Sequence, residues 1–101
     1  MKITDEAMKL RNGTRLQGYV KTQYNHLVEL FGEPYTNLDN HKTDVEWIIP
    51  TPYGPASTYN YKNGYSYLGK SGLRFEEIDE WHVGGNNIQS YEWVTQQLAT
   101  D

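Results

Sequence analysis

Tyr24, Leu27, Val28 and Phe31 recur at i, i+3, i+4 and i+7, so the chain must contain one amphipathic helix with an apolar face to cover. The segment also carries its own limits. Thr22 offers a hydroxyl to cap the start, Gly32 can close the last turn, and Pro34 prevents the helix from resuming. The surface such a helix needs lies on either side of it. In "DVEWII", Val45, Trp47 and Ile49 alternate with Asp44, Glu46 and Ile48, the period of a strand with one dominant buried face. "IDEWHV" reads as a last strand before Gly84-Gly85. After the turn signal Asn12-Gly13, residues Leu16, Tyr19 and Val20 suggest a short strand or an extended lead-in. From Asn87 onward, Ile88, Tyr91, Val94 and Leu98 form a closing amphipathic helix, with Trp93 near its edge.

Between these elements, "PTPYGP" places three prolines in six residues, a turn or wide loop with few ladder donors. "ASTYNYK" and "YSYL" then flank Asn63-Gly64, a strong hairpin signal. A two-residue turn there would pair Tyr61 with Ser66 and Tyr59 with Leu68. One face would carry Tyr59, Tyr61, Ser66 and Leu68 into the core. The other would present Thr58, Asn60, Lys62, Tyr65 and Tyr67 as a contact surface. The expected fold is α+β: an antiparallel sheet of three to five strands with two helices packed on one face. Length allows one domain over residues 1–101, with 1–12 expected to be a weakly ordered N-terminal segment.

Only 37% of the residues are hydrophobic but 14% are aromatic, so Tyr, Trp and Phe must supply much of the core. Thirteen Asp and Glu against nine Lys and Arg give a net charge of −4. That balance shows no basic stripe for long nucleic acid, and it suits either simple solubility or docking on a basic protein surface. The absence of cysteine excludes disulfides, thiol catalysis and cysteine-based zinc sites. No stretch reaches the roughly 20 apolar residues of a membrane-spanning helix, and the charged start "MKITDEAMKL" lacks a signal-peptide core. The expectation is a cytoplasmic protein without a membrane partner.

The segments "GTRLQGYV", "YNHLVELFGEP", "KTDVEW", "YNYK" and "WHVGG" together resemble a family of small proteins encoded by tailed bacteriophages. Its pattern is a G-T-x-L-Q-G-Y segment, a Y-x-x-L-V-x-x-F-G-E-P helix, a K-x-x-x-E-W strand and a closing W-H-x-G-G, and the resemblance spans about residues 13–85. It implies an accessory phage protein acting against its host in the host cytoplasm, with a defence component of the anti-CRISPR target type as the expected partner. A helix ending in F-G-x-P before a strand containing Trp is also similar to the SmpA and β-lactamase-inhibitory-protein group, which binds proteins through a sheet face. Architecture alone does not fix function.

The residues offer little for catalysis. His26, His41 and His82 are scattered without metal-ligand spacing, and neither a cofactor nor a metal is expected. His82, between Trp81 and Gly84-Gly85, is the best candidate for a base, but no nucleophile motif or ordered carboxylate pair accompanies it. Glu76, Glu77, Asp79 and Glu80 read as a solvated edge. Gly84, Gly85, Asn86 and Asn87 sit between strand and helix, either as an anion site at the helix start or as a sharp turn needing glycine. The candidate binding residues are therefore Tyr65, Tyr67, Asn60, Lys62, Trp81 and His82. The leading expectation is a non-enzymatic inhibitor of a host protein. The alternatives are a protein that sequesters a small signalling nucleotide and a small enzyme depending on His82. A homo-oligomer is compatible with the first two readings, through an edge strand or the tyrosine face.

Overall fold

A computed structural model describes residues 5–36 and 42–99, and the elements run α1 (Asp5–Arg11), β1 (Arg15–Lys21), α2 (Tyr24–Phe31), β2 (Glu46–Thr51), β3 (Gly54–Tyr59), α3 (Tyr65–Leu68), β4 (Glu80–Gly85) and α4 (Ile88–Ala99). Two short 3-10 turns, Gly69–Ser71 and Phe75–Glu77, lead from α3 toward β4. The four strands form one antiparallel sheet in the order β1-β4-β3-β2. The α+β expectation holds, with α2 and α4 packed on the same face of the sheet. Two helices were not foreseen: α1, and α3, whose residues read as a hairpin strand. Asp5–Arg11 is α-helical, where the sequence suggested a weakly ordered segment, and it lies against β2 and β3.

The core sits between the sheet and the α2–α4 layer. Cross-strand pairs Trp47↔Thr58, Ile49↔Ala56, Thr58↔Val83 and Val20↔Trp81 place these side chains on the helix-covered face, where all are buried. Trp47 and Trp81 meet edge to face at 5.4 Å, a favoured aromatic geometry. Each indole N–H finds a carbonyl, Trp47 at Gly32 (2.8 Å) and Trp81 at Thr22 (3.0 Å), so the strands are tied to both ends of α2. From α2 comes Leu27, and from α4 come Ser90 and Val94, all buried. Ile88, assigned by its spacing to the buried stripe of α4, is instead exposed at the first turn.

Close packing of α4 depends on two missing Cβ atoms. At Gly18, beside a register shift in β1, a Cβ would lie 2.5 Å from the Tyr91 ring, whose hydroxyl donates to the Tyr19 carbonyl at 2.7 Å. At Gly85 a Cβ would collide with the Ser90 hydroxyl. Both contacts are between strand backbone and side chains of α4, so a larger residue at either position must displace the Tyr91 ring or the Ser90 hydroxyl.

The hairpin is not where the Asn-Gly signal pointed. β2 and β3 form it, turning through Pro52-Tyr53. Closure by Thr51↔Gly54 puts the next pair, Pro50↔Pro55, where an antiparallel ladder makes no hydrogen bonds, so the prolines cost the sheet nothing. At the expected turn, Gly64 has φ −105°, whereas a type I′ turn needs positive φ at both central residues. Lys62, at φ +59°, has already broken the strand, and the chain passes into α3. Thr22 is also displaced from its expected role: Gln23 is the N-cap of α2, and the Thr22 hydroxyl contacts His26 Nδ1 at 3.2 Å. His26 is accordingly half-buried, not solvent-facing. The Gly32 stop stands, its N–H donating to the Val28 carbonyl at 2.8 Å.

Candidate functional site

The sheet face opposite α2 and α4 is only partly covered, by α1 over β2 and β3. Strand register places Tyr19 of β1 beside His82 of β4, His82 beside Tyr59 of β3, and Tyr59 beside Glu46 of β2. These four residues form one continuous row across the sheet, because successive side chains on a strand point to opposite faces. Their neighbours Val20, Trp81, Val83, Thr58 and Trp47 fill the core on the other side.

At the middle of this row, the His82 ring is enclosed by tyrosines: Tyr19 edge-on at 4.8 Å, Tyr61 at 5.2 Å and Tyr59 at 5.5 Å. Tyr59 and Tyr61 meet at 6.4 Å. The Lys62 ammonium stands 5.3 Å from the Tyr61 ring and 5.6 Å from the Tyr67 ring, a cation–π bridge from the segment after β3 to α3. Burial among rings lowers the pKa of His82 from its ordinary value, with the Glu80 charge opposing the shift, so the site favours the neutral imidazole. Burial likewise raises the Tyr59 pKa, helped by the Glu46 charge. The surface is thus aromatic and uncharged at its centre, with a cation at one margin.

Glu46 ends the row. Its carboxylate is only 2% exposed, accepts Arg11 Nη1 at 3.0 Å and accepts the Ser57 hydroxyl through a short hydrogen bond. Burial raises its pKa, while Ser57 and Arg11 pull the other way. This part-buried pair ties α1 to the sheet, and beside it opens a cleft of about 370 Å³. Arg11, Ser57, Tyr59, Tyr61 and Gly84 are among the residues that line it, with the Arg15 backbone beside Gly84.

The sequence-derived candidates divide. Lys62, Tyr67 and His82 come together through Tyr61, and Tyr65 is exposed on α3. Asn60 and Trp81 are each 0% exposed and cannot be contact residues. Asn60 Oδ1 accepts the backbone N–H groups of Asp44 (2.8 Å) and Val45 (3.1 Å), and its Nδ2 donates to Asp44 Oδ1 and Asn63 Oδ1. It knots the loop that holds Tyr61 and Lys62. Trp81 is core.

Gly84 and Gly85 belong to β4, without the positive φ that a sharp turn would demand. The start of α4 is capped from within: Asn87 Oδ1 accepts the Ser90 N–H at 2.9 Å, and Asn87 Nδ2 donates to the Tyr53 carbonyl. The expected anion site at Asn86 and Asn87 is therefore taken by the chain's own side chain.

Sequence reasoning missed Tyr19, Tyr59 and Tyr61 as surface residues, and Arg11, Arg15, Glu46 and Ser57 as the cleft. The available signal was the alternation itself: Tyr19 precedes buried Val20, and His82 follows buried Trp81. Among the described residues, no group of three or more His, Asp or Glu could hold a metal ion, and His41 lies outside them. No described helix is long and apolar enough to cross a membrane. Ser57 donates to Glu46, and His82 is bordered by rings, so the described residues assemble no serine–histidine pair. Comparison with protein-family models, curated proteins and solved structures gives no match for this chain.

Proposed function

We propose that this chain is a non-enzymatic accessory protein of the tailed-phage type, which binds and inhibits a host protein, with a defence component as the target class. The supporting observation is the tyrosine cluster around His82 on the sheet face that α2 and α4 leave free. Tyrosine is favoured at interface hot spots because it combines a large apolar body, few rotatable bonds and a terminal hydroxyl. Here Tyr19 and Tyr61 are exposed, yet their rings are already ordered against His82, so little side-chain entropy remains to be lost on docking. Lys62, Tyr67 and Tyr65 extend the same surface toward α3.

The experiment is affinity capture from host lysate with the immobilised chain, comparing wild type, the double variant Tyr19→Ala/Tyr61→Ala, and Gln89→Ala on α4. The captured protein should be lost with the double variant and kept with Gln89→Ala, both variants melting as folded domains. Capture of the same protein by all three, or of none by wild type, sinks the proposal.

A further inference from the structure

Two Asn-Gly steps occur in the chain, Asn12-Gly13 and Asn63-Gly64, and the fold treats them in opposite ways. A glycine leaves its own peptide nitrogen unshielded by a Cβ, so that nitrogen can reach the side-chain carbonyl carbon of a preceding asparagine. At Asn12 the approach is open. The turn Arg11–Thr14 is closed by the Thr14 N–H (3.0 Å) and the Thr14 hydroxyl (2.6 Å), both donating to the Arg11 carbonyl. Neither bond uses the Asn12 side chain or the Gly13 N–H. Among the described residues these two groups have no hydrogen-bond partner, and both residues are exposed. Gly13 has φ +87°, with no atom within 4 Å of where a Cβ would stand, so the backbone has room to turn.

At Asn63 the side chain and the peptide that follows it are held. Asn63 Oδ1 accepts Asn60 Nδ2 at 3.1 Å, and the Asn63 carbonyl accepts the Leu73 N–H at 2.8 Å. The Gly64 carbonyl accepts the Leu68 N–H at 3.0 Å, and a Cβ at Gly64 would collide with the Asp44 carboxylate.

We infer that Asn12 is a modification site, at which the folded chain deamidates spontaneously, and that the fold protects Asn63. The Gly13 nitrogen gives up its proton to solvent base and attacks Asn12 Cγ. A bond forms between that nitrogen and Cγ, the Cγ–Nδ2 bond breaks, and ammonia leaves with a proton from solvent, closing a succinimide ring. Water then opens the ring at either carbonyl, its hydroxyl going to carbon and its proton to the ring nitrogen, which gives aspartate or isoaspartate. No oxidant, enzyme or cofactor takes part. The chain, of net charge −4, gains one further negative charge, on a residue that lines the cleft beside Glu46 and adjoins Arg11 in sequence.

Peptide mapping by mass spectrometry tests this on the folded chain kept in mildly alkaline buffer, with the urea-unfolded chain as reference. In the folded chain, position 12 should convert at least about tenfold faster than position 63, where the Asn60 bond must break and the crowded loop must open first. In the unfolded chain the two positions should convert at similar rates, because the fold and not the dipeptide sets the difference. Electron-transfer fragmentation should find isoaspartate beside aspartate at position 12, since direct hydrolysis of the amide would give aspartate alone. Conversion at position 63 as fast as at position 12 overturns the inference. So does an unconverted position 12 under conditions that convert the unfolded chain, or a product there without isoaspartate.

Discussion

Replacing Asn60 by Ala separates a residue that builds the fold from one that touches a partner. In the folded chain the side-chain oxygen satisfies two backbone donors, Asp44 N–H and Val45 N–H, and the amide nitrogen satisfies two acceptors, Asp44 Oδ1 and Asn63 Oδ1. Asn60 and Val45 are fully buried, so water cannot take over the lost bond at Val45. Leaving a buried donor without a partner costs about 1–3 kcal/mol. Asp44 is less buried and its N–H can recover part of its loss, so the sum is about 3 kcal/mol. That is a large share of the ~5–15 kcal/mol that stabilises a typical domain. Urea denaturation followed by tryptophan fluorescence should show a lower midpoint with an unchanged slope. Thermal unfolding should fall by roughly 15 °C, at about 4–8 °C per kcal/mol for a chain near this size. A loss below about 0.5 kcal/mol, the usual range for surface substitutions, would refute the assignment and return Asn60 to the contact surface.

Thr58 should respond in the opposite direction. Its hydroxyl is buried in the core without a hydrogen-bond partner, so Thr58→Val should raise stability by about 1 kcal/mol in the same denaturation assay. Gly18→Ala should destabilise by about 1–3 kcal/mol, because the new methyl must displace the Tyr91 ring and its bond to Tyr19. His82, its folded pKa lowered by burial, favours the fold when neutral. Its contribution is present above the unfolded value of 6.5 and is lost as pH falls through the lowered value. An NMR titration of the imidazole should therefore give a midpoint below 6.5, and His82→Phe should remove that part of the pH dependence. Glu46 has the reverse sign: its raised folded pKa gives a contribution present below 4.5 and lost as pH rises through the raised value. Glu46→Gln should flatten the stability profile above pH 4.5, as read from melting temperatures across a pH series.

The elements with an unbroken hydrophobic period were legible. The α2 stripe at Tyr24, Leu27, Val28 and Phe31, the alternation at Val45, Trp47 and Ile49, and the run around Trp81 and Val83 each report which side of an element is buried. What failed was pairing. Asn63-Gly64 has hairpin chemistry, but long-range bonds through Asn60, Asp44 and Leu73 fix the loop differently, and turn propensity is too weak to oppose them. That error turned Tyr59 and Tyr61 toward the core and Asn60 toward solvent, because a change of partner strand reassigns both faces. Glu46 was invisible for another reason. A carboxylate alternating with buried residues reads as solvent-facing, and its partner Arg11 lies 35 positions away in a helix with no strong apolar period.

Site-specific photo-crosslinking decides most directly whether the helix-free face is the working surface. A photoreactive phenylalanine analogue is placed at Tyr19 or Tyr61, and at Gln89 or Gln96 on the outer side of α4, all exposed positions. On illumination in host lysate, crosslinks to one common protein should form from Tyr19 and Tyr61 and not from Gln89 or Gln96. Crosslinks to that protein from the α4 positions alone would contradict the account, since the bound surface would then be the helical layer.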